Sequence, residues 1–211
     1  LKQAGCEDVV LAGPIDRPAL STVKPDLRAM KLMPKLLKAR GDDGLLSVLV
    51  AEFESEGFSV VGIDDVMTDV LANDGAMGQV QPDQTHLDDI RRGVQVVQAL
   101  GVLDVGQAVI VQQGFVLGVE AAEGTDALID RCGTMTRPGS AAVLVKMAKP
   151  DQDRRADLPT IGLKTVEGAI SAGYAGIAVE EGGVIVAERE AVIAAADTAG
   201  LFLFGVSGQT D

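Results

Sequence analysis

Short aliphatic runs closed by glycine alternate along this chain with stretches whose apolar residues recur every three or four positions. Asp8-Val-Val-Leu-Ala-Gly13 and Phe58-Ser-Val-Val-Gly-Ile63 have the form of buried parallel strands. Between them Leu45, Leu46, Leu49, Val50 and Phe53 keep helical spacing, with Asp42 as the expected cap and Gly57 as the stop. Asp64 is expected to open a further short helix to about Ala72. Strand, helix, strand, helix is the order of an open α/β domain with a mostly parallel sheet. The glycine-rich turn of a dinucleotide site is missing from it.

Residues 73–84 hold Gly75, Gly78 and Pro82 with few apolar anchors, and read as a linker. Thr85 is then the expected cap of a helix through Ile90, Val94, Val97 and Leu100, stopped by Gly101. The single histidine, His86, falls in its first turn and reads as solvated. Residues 107–112 and 115–120 flank Gln113-Gly114 as a hairpin. A helix starting at Thr125 or Asp126 and reaching Arg131 follows, then a strand at 141–145 and a helix from about Thr165 to Ala172. The runs 175–180 and 184–187 read as strands paired around Gly182-Gly183. A helix from Glu190 to Thr198 and a strand at 201–205 complete the pattern. The prediction is two α/β domains: a Rossmann-like one over 1–72, the linker 73–84, and a catalytic domain over 85–211. The chain opens in what reads as a helix end, so the first domain is expected to lack its first elements.

Composition narrows the partners. Hydrophobic residues make up 47% and aromatic ones 3%, so the cores must be built of Ala, Val, Leu and Ile. The formal net charge of −13 opposes binding to nucleic acid. Charge is unevenly spread, however. Residues 24–40 hold six basic groups and one acid, net +5, leaving −18 on the rest. Basic positions 24, 28, 31, 35 and 38 recur on one side of a helix that Pro34 is expected to kink or split. Two readings stay open there: a solvated face over a core, or a helix that meets phosphate or a membrane surface. Cys6 and Cys132 fit no ligand spacing and suit a reducing compartment, although two thiols could still pair. No apolar run reaches membrane-spanning length and no signal peptide pattern is present. A cytoplasmic location is the expectation.

The polar chemistry concentrates in two places. The stretch Lys146-Met-Ala-Lys-Pro-Asp-Gln-Asp-Arg-Arg-Ala-Asp-Leu-Pro159 brings both charge signs into one loop after an apolar strand. Such charges are costly to bury unless something charged binds among them. The run Glu120-Ala-Ala-Glu-Gly-Thr-Asp126 precedes a helix whose first amides could face an anion, while Thr125 and Asp126 could equally be simple caps. The two stretches are read as facing parts of one site. One histidine excludes a dinuclear metallophosphoesterase centre, and neither a serine elbow, a Cys/His pair nor the Nudix glutamate pattern is present. Carboxylates and lysines remain. That chemistry suits Mg²⁺ held with substrate phosphates, and cations that offset phosphoryl charge.

Gly118-Val-Glu-Ala-Ala-Glu-Gly-Thr-Asp126, Val143-Leu-Val-Lys146 and Lys149-Pro-Asp-Gln-Asp-Arg-Arg-Ala-Asp-Leu-Pro-Thr160 together resemble the UDP-2,3-diacylglucosamine diphosphatases of lipid A biosynthesis, in their two-domain, Mg²⁺-dependent form. Arg17-Pro18, Lys24-Pro-Asp-Leu-Arg28 and Gly41-Asp-Asp43 extend the likeness; the family's glycine-rich opening is not seen. The resemblance implies cleavage of UDP-2,3-diacylglucosamine to UMP and 2,3-diacylglucosamine 1-phosphate. It also implies two domains that close on the lipid-linked substrate, a homodimer, and peripheral contact with the cytoplasmic face of the inner membrane. It makes Asp153 the first candidate, as Mg²⁺ ligand or as the carboxylate orienting water, with Asp157 and Glu123 supporting it and Glu123 a second metal ligand. Lys146, Lys149 and Arg155 would hold the substrate's phosphates, Gly124 and Thr125 would present amide and hydroxyl donors, and Gln152 and Asp126 would be further substrate-binding residues. The competing class is a carrier that binds a nucleotide-sugar or lipid diphosphate without cleaving it. A phosphotransferase or ligase is a third reading, opposed by the missing phosphate loop.

Overall fold

The first two aliphatic runs do pair in parallel: β1 (Asp8–Val10) lies beside β2 (Ser59–Val61), with Val9 opposite Val60. They are seen in a computed structural model that describes residues 1–13, 27–38, 41–150 and 152–207. Two α/β units are present, Leu1–Met67 with Gln152–Asp157, and Thr68–Asp151 with Leu158–Asp211. In the first, α1 (Leu27–Lys38) runs as one element with Pro34 inside it, so the proline does not split the helix. Helix α2 spans Gly41–Ser55, and the side chain of Asp42, the expected cap, falls outside what the structure describes. It buries Leu46 and Val50 and ends through Gly57 at φ 84°, a left-handed stop that glycine adopts without strain. Arg17, Pro18 and Lys24 to Asp26 fall outside the described residues.

The helix expected over 64–72 is broken into α3 (Ile63–Val66) and a single 3₁₀ turn at Thr68–Val70. Asp65 turns its carboxylate back to the Gly62 amide at 2.9 Å and closes a single turn. Further on, the Ala72 amide donates to the Val184 carbonyl and Leu71 bridges Ile185, so extended pairing replaces helix. Residues 73–84, read as a linker, contribute β3 (Gly75–Ala76), an edge strand, and the Gln79 amide is held by the Asp197 carboxylate at 2.7 Å.

The second unit is organised by a six-stranded mixed sheet. Its strands are β3, β4 (Ala108–Gln112), β5 (Phe115–Val119), β6 (Val143–Lys146), β8 (Gly176–Glu180) and β10 (Phe202–Val206), in the order β3-β10-β8-β6-β4-β5. Strands β6, β8 and β10 are parallel, and β4 is antiparallel to both of its neighbours. The two-residue period divides the core. Val109, Val111, Val143, Val145, Ala178 and Phe202 meet Ile90, Val94 and Val97 of α4 (Gln84–Gly101). Ala108, Ile110, Leu144, Ile177, Val179 and Leu203 pack on the other face with residues of α5 (Gly124–Gly133), α6 (Leu163–Ser171) and α7 (Arg189–Ala199). A sheet covered on both faces reads as continuous aliphatic runs, which is why its strands were visible in the sequence.

Local chemistry corrects several expectations. Asp83, not Thr85, caps α4, its carboxylate accepting from the His86 amide at 2.9 Å. His86 is half-buried and not solvated: its ring lies 5.4 Å from that of Phe202 and its Nε2 is 2.9 Å from the Ser140 hydroxyl. The hairpin forms as expected, with Gln113 and Gly114 at φ 51° and 78°. The buried Asp89 accepts both of their amides, at 2.8 and 2.6 Å. Strands β8 and β9 (Ile185–Val186) do not pair. Both edges of β8 are taken by β6 and β10, so β9 lies parallel to β7 (Thr160–Ile161). Both cysteines are free, Cys6 exposed and Cys132 buried, and burial pushes the Cys132 thiol up in pKa.

Gly93 lets α4 approach the sheet closely. A Cβ there would lie 2.5 Å from Val145 Cγ2 and 2.8 Å from Val145 Cβ, which a buried strand cannot move aside. Gly93→Ala should gain up to about 1 kcal/mol in helix propensity and lose roughly 1–3 kcal/mol to overpacking. A lowered Tm is the expected outcome of thermal denaturation; an unchanged or raised Tm would show that the close approach costs nothing to fill.

Candidate active site

The parallel strands β6, β8 and β10 end together, and the polar residues that close them lie along one edge of the sheet. Lys146 is the last residue of β6 and Glu180 the last of β8. Strand β5 runs in the same sense as β6, two strands away, and hands over to Glu120. Carboxyl ends of parallel strands are where α/β proteins assemble ligand sites. Ala108 faces Lys146 in register and accepts the Glu120 amide at 2.8 Å, so the start of β4 stands between the two charged residues.

Lys146 and Glu120 are each only 6% exposed. The Lys146 ammonium donates to Thr125 Oγ1 at 3.0 Å and to the Thr160 carbonyl at 2.9 Å. Thr125 Oγ1 donates in turn to Glu120 Oε1 at 2.7 Å, and Glu120 Oε2 accepts from the Gln107 amide at 3.0 Å. A buried cation and a buried carboxylate are thus joined through one hydroxyl. Burial of either charge alone would be strongly unfavourable. Thr125 is therefore not a cap; α5 begins at Gly124, with Glu123 in the N-cap position and making no side-chain capping bond. The Gly124 amide turns back to the Ala121 carbonyl at 3.2 Å.

Other expected residues of this unit have local partners. Glu123 is bonded by Arg131 at 2.9 Å and by the Ala121 amide at 3.2 Å. Its carboxyl is held below the usual range by backbone amide hydrogen bonding and by Arg131. Asp126 pairs with Lys164 at 2.6 Å, and Lys149 with Asp104 at 2.6 Å. Glu180 fixes the loop after β6 by accepting the Ala148 amide at 2.8 Å.

Residues 152–157 belong to the first unit. There Asp153 receives Arg155 Nε at 3.0 Å and Nη2 at 2.8 Å, and the same guanidinium reaches Glu54 of α2 at 2.8 Å. Arg155 holds the Asp153 carboxyl below its ordinary range and is itself held protonated. Because the folded-state pKa is lowered, the contribution of this contact to stability is complete above the unfolded pKa and is lost as pH falls through the folded one. Gln152, buried, donates to Asp157 at 2.6 Å. The structure therefore joins Lys146 with Thr125, Asp153 with Arg155, and Gln152 with Asp157. Glu120, Glu54 and Glu180 were not singled out from the sequence. For Glu120 and Glu180 a signal existed, since each closes an aliphatic strand run with a carboxylate.

Among the described residues no three His, Cys, Asp or Glu side chains gather as a metal cage, and no helix is long and apolar enough to cross a membrane. Mg²⁺ needs only one or two protein carboxylates when phosphates and water complete its shell. Asp153 is engaged by Arg155 and Glu123 by Arg131, so neither carboxylate is part of a preformed metal cage.

Fold and site define a two-domain α/β protein with a buried cation at the carboxyl edge of its main sheet. The LpxI N-terminal domain matches residues 1–70 and the LpxI C-terminal domain residues 73–204. The chain belongs to the LpxI family. It is 44% identical over 217 residues to the UDP-2,3-diacylglucosamine pyrophosphatase LpxI of Caulobacter vibrioides, a match spanning 99% of this chain and 78% of that relative.

Lys146→Met keeps the side chain's length and removes its charge. It should lower stability by about 2–4 kcal/mol, because Glu120 is left buried without its cation. Adding Glu120→Gln should recover part of that loss. Denaturant unfolding of the two single variants and the double variant measures the coupling, and strict additivity would show that the two charges are independent.

Proposed function

We propose that this chain hydrolyses the pyrophosphate bond of UDP-2,3-diacylglucosamine, releasing UMP and 2,3-diacylglucosamine 1-phosphate in lipid A biosynthesis. The observation that supports this most is membership of the LpxI family, whose Caulobacter member bears that activity in its name. The residues suit the chemistry. Water adds across one P–O–P bond: its oxygen goes to one phosphorus, the bridging oxygen leaves with the other, and its protons are shared between the two products. Charge builds on phosphoryl oxygens as the bond breaks, and a desolvated ammonium such as Lys146 stabilises it far better than one in water. Lys149 and Arg155 are the further cations assigned to the substrate.

Asp153 is the carboxylate we assign to orienting water, with Asp157 in support through Gln152. Mg²⁺ is the proposed cofactor, with Asp153 and then Glu123 as its protein ligands; it would neutralise diphosphate charge. The active form is proposed to be a homodimer. For membrane contact we assign α1, whose Arg28, Lys31, Lys35 and Lys38 recur at helical spacing in an otherwise acidic chain. Lys31 and Lys35 are exposed, as is Met30 at 58%, the pairing of charge and apolar surface that an interfacial helix uses.

Asp153→Ala should lower turnover at least 100-fold, the scale of a lost general acid–base contribution, while substrate binding stays within a few-fold. Release of UMP should also stop on chelation with EDTA and return with Mg²⁺. Near-wild-type turnover in the variant overturns its role, and binding without any product in the parent chain would make this protein a carrier.

Lys31→Glu combined with Lys35→Glu should abolish cosedimentation with vesicles containing phosphatidylglycerol and leave hydrolysis of detergent-dispersed substrate unchanged. Equal cosedimentation of parent and variant removes α1 as the contact.

A further inference from the structure

We propose that Glu120 is a positioning residue that limits how tightly Lys146 holds phosphate, so that product can leave. The inference rests on the assignment of Lys146 to the diphosphate. Hydrolysis turns one diphosphate diester into two phosphate monoesters, each carrying about −1.5 to −2 charge at neutral pH. A bare buried ammonium would therefore bind products better than substrate. Glu120 stands one hydroxyl away, equally buried, and offsets that cation before any ligand arrives. As a hydrogen-bond acceptor alone it has a second duty, since both oxygens are used, one by Thr125 and one by the Gln107 amide.

The two duties predict opposite signs. Loss of the hydrogen bonds would disorder Lys146 and weaken substrate binding. Loss of the counter-charge would strengthen anion binding while slowing turnover.

The experiment measures kcat and KM for UDP-2,3-diacylglucosamine and inhibition by UMP, in the full chain and three variants. Glu120→Gln should lower KM and the UMP inhibition constant by roughly tenfold, as expected for a unit charge removed at this separation, with a lower kcat. Glu120→Asp, which keeps the charge, should stay within about threefold of the parent in both constants. If the amide variant does not fold, Glu120→Ser, which admits water, makes the same comparison. An unchanged or raised KM and inhibition constant in the charge-removing variant overturns the proposal. Lys146→Met separates the two failures: if it retains parental kcat/KM, the placing of substrate phosphate at Lys146 is wrong. If it loses activity while Glu120→Gln gains no affinity, only the role of Glu120 is wrong.

Discussion

A lysine at the end of a central strand has few ways of staying charged once it is covered. The Lys146 ammonium donates to Thr125 in the first turn of α5 and to the Thr160 carbonyl at the start of β7, with Glu120 behind Thr125. Each connection constrains the chain. The Gln107 and Glu120 contacts fix the entry to β4 and the exit from β5, and the register of Lys146 against Ala108 ties both to β6. Polar satisfaction therefore decides how the strand ends are arranged, and the aliphatic core decides only that there is a sheet.

That sheet is suited to the task because helices pack apolar clusters on both of its faces. Helix α4 covers one face through Ile90, Val94 and Val97, and α5, α6 and α7 cover the other. With both faces of the central strands covered, polar residues gather at the strand ends, where the backbone turns away. Asp89 shows the same rule at the hairpin end: it is buried, yet both turn amides satisfy its carboxylate. The low aromatic content fits, since short aliphatic side chains let layers interdigitate closely, as where Gly93 brings α4 against Val145.

Much of this was legible beforehand for a definite reason. Runs such as 108–112 and 143–146 are buried on both faces, so their hydrophobicity is continuous, and Gln113-Gly114 supplies the left-handed backbone a tight hairpin needs. What the pattern could not show was pairing. Residues 184–187 look like the return strand of a hairpin, but whether β8 has a free edge depends on strands far away in sequence. Residues 73–84 looked bare because a two-residue edge strand buries little; β10 and Asp197 hold it through backbone bonds that leave no mark in side-chain hydropathy. The charged stretches were found, yet the choice within them was less complete. Glu123 and Asp126 stood out as helix-start acids and turn out to face their own cations, while Glu120, spaced by the strand and not by the helix, lies on the network.

The carboxylates assigned to a metal are instructive in the same way. Asp153 is gripped by two guanidinium nitrogens, and that guanidinium also spans to Glu54, so one arginine serves two acids. Such a group is under-neutralised: two carboxylates share one cation. Added positive charge would be attracted to that pair, whereas a phosphate brought near it without a cation would meet two acids against one base. At Lys146 the balance differs, because one buried cation is matched there by one buried acid across a hydroxyl.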